Sequence, residues 1–276
     1  MKLMLAVLAL VIVFPLVFAV QSPSRPKTKG ILLENLSWVE AERILTPNSV
    51  VVIPLGAAAK EHGPHLKLKN DFVIAEYLKR RVLQQSEVIV APTINYYFYP
   101  AFVEYPGSTS LRLETARDLV IDICRTLSRF GPRRFYVLNT GISTLRALKP
   151  AATLLAEERI LLRYTDLRIT EPLEKTIRKE QGGTHADEIE TSVMLYIDPA
   201  SVDMKKAVKD YHPENGSGGL TRDPNGAGVY SATGIWGDPT LATREKGRKV
   251  TEALVAGILK EIENLRHSPV PGDPSK

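Results

Sequence analysis

The run "PLGAAAKEHGPHLKLKND" places Glu61, His62 and His65 within five residues, and Asp71 nine residues beyond His62, directly after an apolar strand-like segment. Imidazole nitrogens and carboxylate oxygens that meet in this way suit a divalent transition ion such as zinc, manganese or iron. The same residue types also cap helices and bond loop backbone, so E-H-x-x-H alone fits both a metal site and a polar loop. A second stretch, "GGTHADEIETSVMLYIDP", carries His185, Asp187, Glu188 and Glu190 just before or inside the first turns of an apolar helix. Acids there are stabilising for electrostatic reasons alone, at about 0.3–1 kcal/mol each. A well-capped helix therefore accounts for the acids but not for the histidine. Three of the five histidines fall in these two acid-rich loops, while His212 and His267 sit in polar contexts and are assigned nothing.

The loops need a scaffold that brings them together. The runs "SVVVIPLG", "EVIVAPTI", "RRFYVLNTG" and "RILLRYTDL" read as strands, each bounded by turn residues. Between them "DFVIAEYLKRRVLQQ", "LETARDLVIDICRTLSRFG" and "STLRALKPAATLLAEER" carry apolar residues at helical spacing. Continuous apolar strands alternating with helices predict an α/β domain with a mostly parallel central sheet covered on both faces. Right-handed crossovers then align the strand carboxyl ends along one edge, where open sheets bind ligands. The first loop follows the strand at 50–55 and "NTGIST" follows the strand at 135–138, so both should share one mouth. Asn70 or Asp71 is expected to cap the next helix. "EYPGSTSL" reads either as a turn that caps the helix after it or, with "NYYFYPAF", as a pocket wall. The late stretch "NGSGGLTRDPNGAGVYSATGIWGDPT" reads as a long loop in which Tyr230, Trp236 and Asp238 either close over a substrate or mark surface turns. A last amphipathic helix is expected from about Leu241 to Leu265.

The chain opens on one lysine and an apolar run, "MKLMLAVLALVIVFPLVFAV", with a small-residue cleavage pattern at Val17-Phe18-Ala19. We read residues 1–19 as an export signal cut after Ala19; an uncleaved anchor is the alternative, since the run is near the lower limit for spanning a bilayer. Residues 20–30 form a polar linker, 31–266 the α/β domain and 267–276 a tail expected to be disordered. Without the leader no membrane segment is expected, and the protein is placed in the periplasm or outside the cell. The single cysteine, Cys124, excludes an intramolecular disulfide and lies on an apolar helical face, as a buried small hydrophobe would. Net charge falls only from +5 to +4 without Lys2, and basic residues are interleaved with acids, so nucleic acid is not an expected partner. The basic clusters at 79–81 and 132–134 read as solvated ends of elements. No strand is followed by G-x-G-x-x-G or a P-loop, which argues against a nucleotide-binding module.

In several ordered blocks the chain resembles the creatininase family of metal-dependent amidohydrolases: "PLGAAAKEHGPHLKLKND", "EYPGSTSL", "FGPRRFYVLN", "HADEIETSVML" and "GDPTLATREKG", from about Leu55 to Gly247. The family pattern is close to G-x-x-E-x-H-G-x-H-L-P-x-x-T-D, then Pro-Gly-Thr, N-G-H-G-G-N and H-A-G-E-x-E-T-S. The resemblance implies a single three-layer α/β/α domain, homo-oligomers, and one or two divalent ions. It implies that Asp71 bridges the ions, that His62 is the histidine of the E-x-H pair, and that Glu188 and His185 come from H-A-G-E. Glu188 or His185 would then move a proton to the leaving nitrogen while metal-activated water hydrolyses a small linear or cyclic amide. The chain departs from the pattern at Lys60, where the E-x-H glutamate would fall, at Lys67 in place of proline, and at "NTGIST", which lacks the family's histidine. Glu61 or His65 would have to make up the ligand set, or the site holds one ion or none. An exported ligand-binding protein that lost turnover is the alternative.

Overall fold

The structure, a computed structural model, describes residues 28–211 and 219–271. The export leader, most of the linker, His212 and the last five residues of the tail lie outside the described residues. Five parallel strands form the sheet in the order β1 (Ile31–Leu32), β3 (Ile89–Val90), β2 (Val50–Leu55), β4 (Arg134–Asn139) and β5 (Leu161–Tyr164). Helices α1 (Trp38–Ile44), α2 (Asn70–Gln85), α3 (Leu113–Ser128), α4 (Leu145–Glu157), α5 (Glu171–Ile177), α6 (Glu188–Ile197) and α7 (Arg244–His267) accompany it.

The three layers follow from the strand period of two. In β2, Val51, Ile53 and Leu55 share a core with Val120 and Cys124 of α3 and Leu148 and Leu155 of α4. Val50 and Val52 point the other way, into a core with Leu78 of α2, Val193 of α6 and Leu254 and Ile258 of α7. β4 repeats the alternation, Phe135 and Val137 on one face and Tyr136 and Leu138 on the other. This is the expected α/β architecture. Cys124 is fully buried, and burial pushes its thiol well above its ordinary value.

Several local expectations are corrected. β3 spans two residues because Pro92 lacks a ladder donor; the extension survives only as a bridge between Leu55 and Ile94. Lys79 is not solvated but buried, its ammonium facing Glu34 and Glu76. Lys69, not Asn70 or Asp71, occupies the cap position of α2 and makes no side-chain cap bond, which leaves the Asp71 carboxylate free for the site. The late loop contains a second, two-stranded sheet, β6 (Leu220–Thr221) and β7 (Val229–Tyr230).

β2 and β4 run in register to Leu55 and Asn139, so the loops after them leave the same edge side by side. Gly56 makes the first turn possible: a Cβ there would lie 2.3 Å from the Asp71 carbonyl oxygen. Gly56→Ala is therefore expected to push α2 away from β2 and cost about 1–3 kcal/mol, read as a lowered thermal midpoint.

Candidate metal centre

The loop after β2 is pinned on both sides before it reaches the site. The Glu61 amide donates to Ser108 Oγ at 2.9 Å, and the Thr109 amide donates to the Ala59 carbonyl at 2.9 Å. The "EYPGSTSL" segment thus braces the loop rather than capping the next helix, whose cap position is Arg112. Asp71 enters from the first turn of α2, and Glu190 from the first turn of α6, where Asp187 caps the helix by accepting from the Ile189 and Glu190 amides.

These elements bring together His62, Asp71 and Glu190. His62 Nε2 lies 2.9 Å from Asp71 Oδ1 and 3.4 Å from Glu190 Oε1. His62 Nδ1 is 2.9 Å from the Lys60 carbonyl, which only accepts, so Nδ1 carries a proton. Nε2 then meets two carboxylates, and its lone pair would repel both. A proton or a metal ion must lie among them. Glu190 is held in place by the Ala186 amide at 2.7 Å and by Asn70 Nδ2 at 3.2 Å. Ligand atoms around a four-coordinate ion at 2.0–2.1 Å lie roughly 3.3 Å apart; His62 Nε2 stands close to that spacing from both oxygens, and all three atoms lie within 4.8 Å of one another. One imidazole and two carboxylates fit a single divalent ion with a position left open.

The charges respond to one another. Burial and the Lys60 ammonium oppose a charge on the His62 ring, but Asp71 and Glu190 outweigh them and push it up to about 9. Burial opposes ionisation of Asp71, yet Lys60 and His62 hold it below the usual carboxylate range. Glu190 is held well below that range against its own burial, chiefly by His62 and His185. Because the folded His62 binds its proton more tightly than the unfolded chain, its contribution to ion-free stability is complete below about 6.5 and is lost as pH rises through about 9. An ion at Nε2 must displace that proton. Zinc affinity is accordingly expected to rise about tenfold per pH unit from 7 toward 9 and then level off, as calorimetric titrations at several pH values would read.

Next to this trio stands His185. Its Nε2 faces the Glu61 carbonyl at 3.0 Å and Glu61 Oε2 at 3.1 Å, so Nε2–H donates to Glu61. Its ring centre is 5.1 Å from that of His62 and 4.4 Å from that of Phe102. His185 is fixed by main-chain pairing with Trp236, which straps the late loop across the site. Gly234 of the same loop approaches the Glu61 carboxylate so closely that any Cβ would collide with it.

Three expected ligands fall elsewhere. Glu188 turns away to the Lys246 ammonium of α7 and accepts from the Lys179 and Glu180 amides at 2.8 Å; these contacts hold it below the usual range in spite of burial. In this structure it stands apart from His62, Asp71 and Glu190. His65 hands its Nε2 to Thr191 Oγ1 at 2.8 Å, and burial pushes the ring down to about 4. Glu61 binds His185 and the Gly63 amide rather than joining the His62 and Asp71 oxygens and nitrogen. Glu190, to which the sequence assigned no role, completes the candidate trio and lies two residues past Glu188. A helix turns about 200° over two residues, so only one of the pair can face His62 and Asp71. "NTGIST" adds no ligand, since Thr140 bonds the Leu55 carbonyl, Ser143 the Phe98 carbonyl and Thr144 the Asn139 side chain. Asp238 caps a short turn through Thr240, and Tyr230 remains exposed.

Fold and site together define a parallel α/β protein with a buried imidazole–carboxylate centre at the carboxyl edge of its sheet. The creatininase family profile, described as creatinine amidohydrolase, matches residues 34–262. The creatinine amidohydrolase of Pseudomonas putida is 28% identical over 257 residues, 85% of this chain and 97% of that protein. The mycofactocin precursor peptide peptidase of Mycolicibacterium smegmatis is 27% identical over 227 residues, 78% of this chain and 84% of that one. A mutant creatininase of the Zn-Zn type superposes with a TM-score of 0.70 at 24% identity, over 88% of this chain and all of its own. The chain belongs to the creatininase family. Its two curated relatives named here are hydrolases of amide C–N bonds.

Proposed function

We propose that this protein is a metal-dependent hydrolase of a small linear or cyclic amide, working with one divalent ion held by His62, Asp71 and Glu190. The observation that carries the reading is His62 Nε2, faced by two carboxylates while Nδ1 is tied to the Lys60 carbonyl. Zinc or manganese suits this donor set, and when bound such an ion supplies the Lewis acidity that activates water and polarises a carbonyl. His185, oriented by Glu61, takes the general acid–base part: an imidazole held by a carboxylate beside the ion is an arrangement that moves protons. Family membership and the amide-hydrolysing relatives support the reaction class. The apolar leader supports export, and the family resemblance supports a homo-oligomer.

A second reading, a non-catalytic binding protein on the same scaffold, is favoured by one feature. Lys60, Glu61, His62, Asp71 and His185 are all buried, and a cleft of about 650 Å³ lined by Ala58, Lys67, Leu68 and Asp198 includes none of them. Glu190, with a side chain 21% exposed, is the member of the trio that meets solvent. The two readings separate in one assay. The purified protein loaded with zinc or manganese, offered a panel of creatinine-like cyclic amides, N-formyl amines and short peptides, is expected to release free amine, and a chelator is expected to stop it. Release that persists at full rate in the chelator, or no release from any amide by ion-loaded protein, would overturn the hydrolase reading.

A further inference from the structure

We propose that the ammonium of Lys60 is a built-in cation that stands where a second metal ion would sit on Asp71. The inference deepens the single-ion reading of this centre and rests on it for the identity of the first ion. Lys60 Nζ lies 2.7 Å from Asp71 Oδ2 with both side chains buried. The Asp71 carboxylate is thereby divided, one oxygen toward His62 and the other toward the ammonium. A carboxylate that bridges two ions gives one oxygen to each; here the second oxygen already has a positive partner, covalently attached and not removable by a chelator. The rings of Phe102 and Tyr99 lie over the ammonium, their centres 4.8 and 5.5 Å away, and favour a fixed cation there. An ion approaching Oδ2 would also find no ligand from the neighbouring loop after β4, whose side chains bond main chain or one another.

A carboxylate at position 60 reverses this arrangement, and removal of the charge alone relieves it. Elemental analysis after zinc loading and desalting is expected to find one more ion per chain in Lys60→Glu than in the wild type. Lys60→Met, which keeps the stem but drops the charge, is expected to bind its ion about tenfold more tightly or better, because a like charge beside the ion is gone. Lys60→Arg is expected to match the wild type in both. Circular dichroism establishes that each variant is folded. A folded Lys60→Glu with the wild-type ion count, or a folded Lys60→Met with wild-type affinity, overturns the inference. The wild-type count itself, one or none, tests the single-ion reading separately, since the inference is read from differences between variants.

Discussion

Asp71→Asn is expected to lose the ion and much of the stability together. Asp71 is fully buried and contacts both His62 and Lys60, so it is the carboxylate that the two share. Asparagine keeps the shape but offers a neutral oxygen in place of a charged one. Loss of a supporting residue around a metal typically costs 10–100-fold in affinity, so loss of a direct ligand should cost on the order of 100-fold or more. The ammonium of Lys60 is left buried without its counter-charge, and breaking one side of a buried pair costs about 3–5 kcal/mol. For a chain of this length that is a fall of roughly 10 °C in thermal midpoint. Calorimetric zinc titration reads the first effect and thermal unfolding of the ion-free protein the second. An Asp71→Asn protein with unaltered ion affinity would show that the trio is not the ligand set.

The second large effect is a contrast between two glutamates on one helix. Glu190→Gln is expected to weaken ion binding by on the order of 100-fold, since it removes a ligand charge, while the fold keeps its other contacts. Glu188→Gln is expected to leave ion affinity unchanged. It strands the Lys246 ammonium, whose side chain is 11% exposed, and lowers stability by about 3 kcal/mol. The two variants should thus move opposite observables. Parallel zinc titration and urea unfolding of both proteins decide it; ion loss in Glu188→Gln with retention in Glu190→Gln would restore Glu188 to the site.

The layered sheet was legible because β2 and β4 are apolar on both faces and the helices between them keep a helical apolar period. His62 and Asp71 were legible for a related reason: the first loop leaves the sheet edge and α2 returns to it, so the topology alone brings the two together. Glu190 was not, because only the rotation of α6 about its axis decides which acid faces inward. That rotation is set by the packing of Ile189, Val193 and Met194 and by the Glu188–Lys246 pair with α7, some 58 residues later in the chain. The placement of His65 was not legible for a similar reason, since its partner Thr191 is 126 residues away. The export leader, on which the expected localisation depends, lies outside the described residues. Position 60 was legible as a departure, but the direction of its ammonium depended on the approach of Asp71.

In the proposed reading one divalent ion is gripped by an imidazole and two carboxylates where the loop after β2 meets α2 and α6. Anomalous diffraction from crystals grown with zinc tests it most directly. One strong peak per chain is expected at about 2.0–2.2 Å from His62 Nε2, Asp71 Oδ1 and a Glu190 oxygen. A crystal with no peak there, or with its peak on His65 or Glu188, would contradict it.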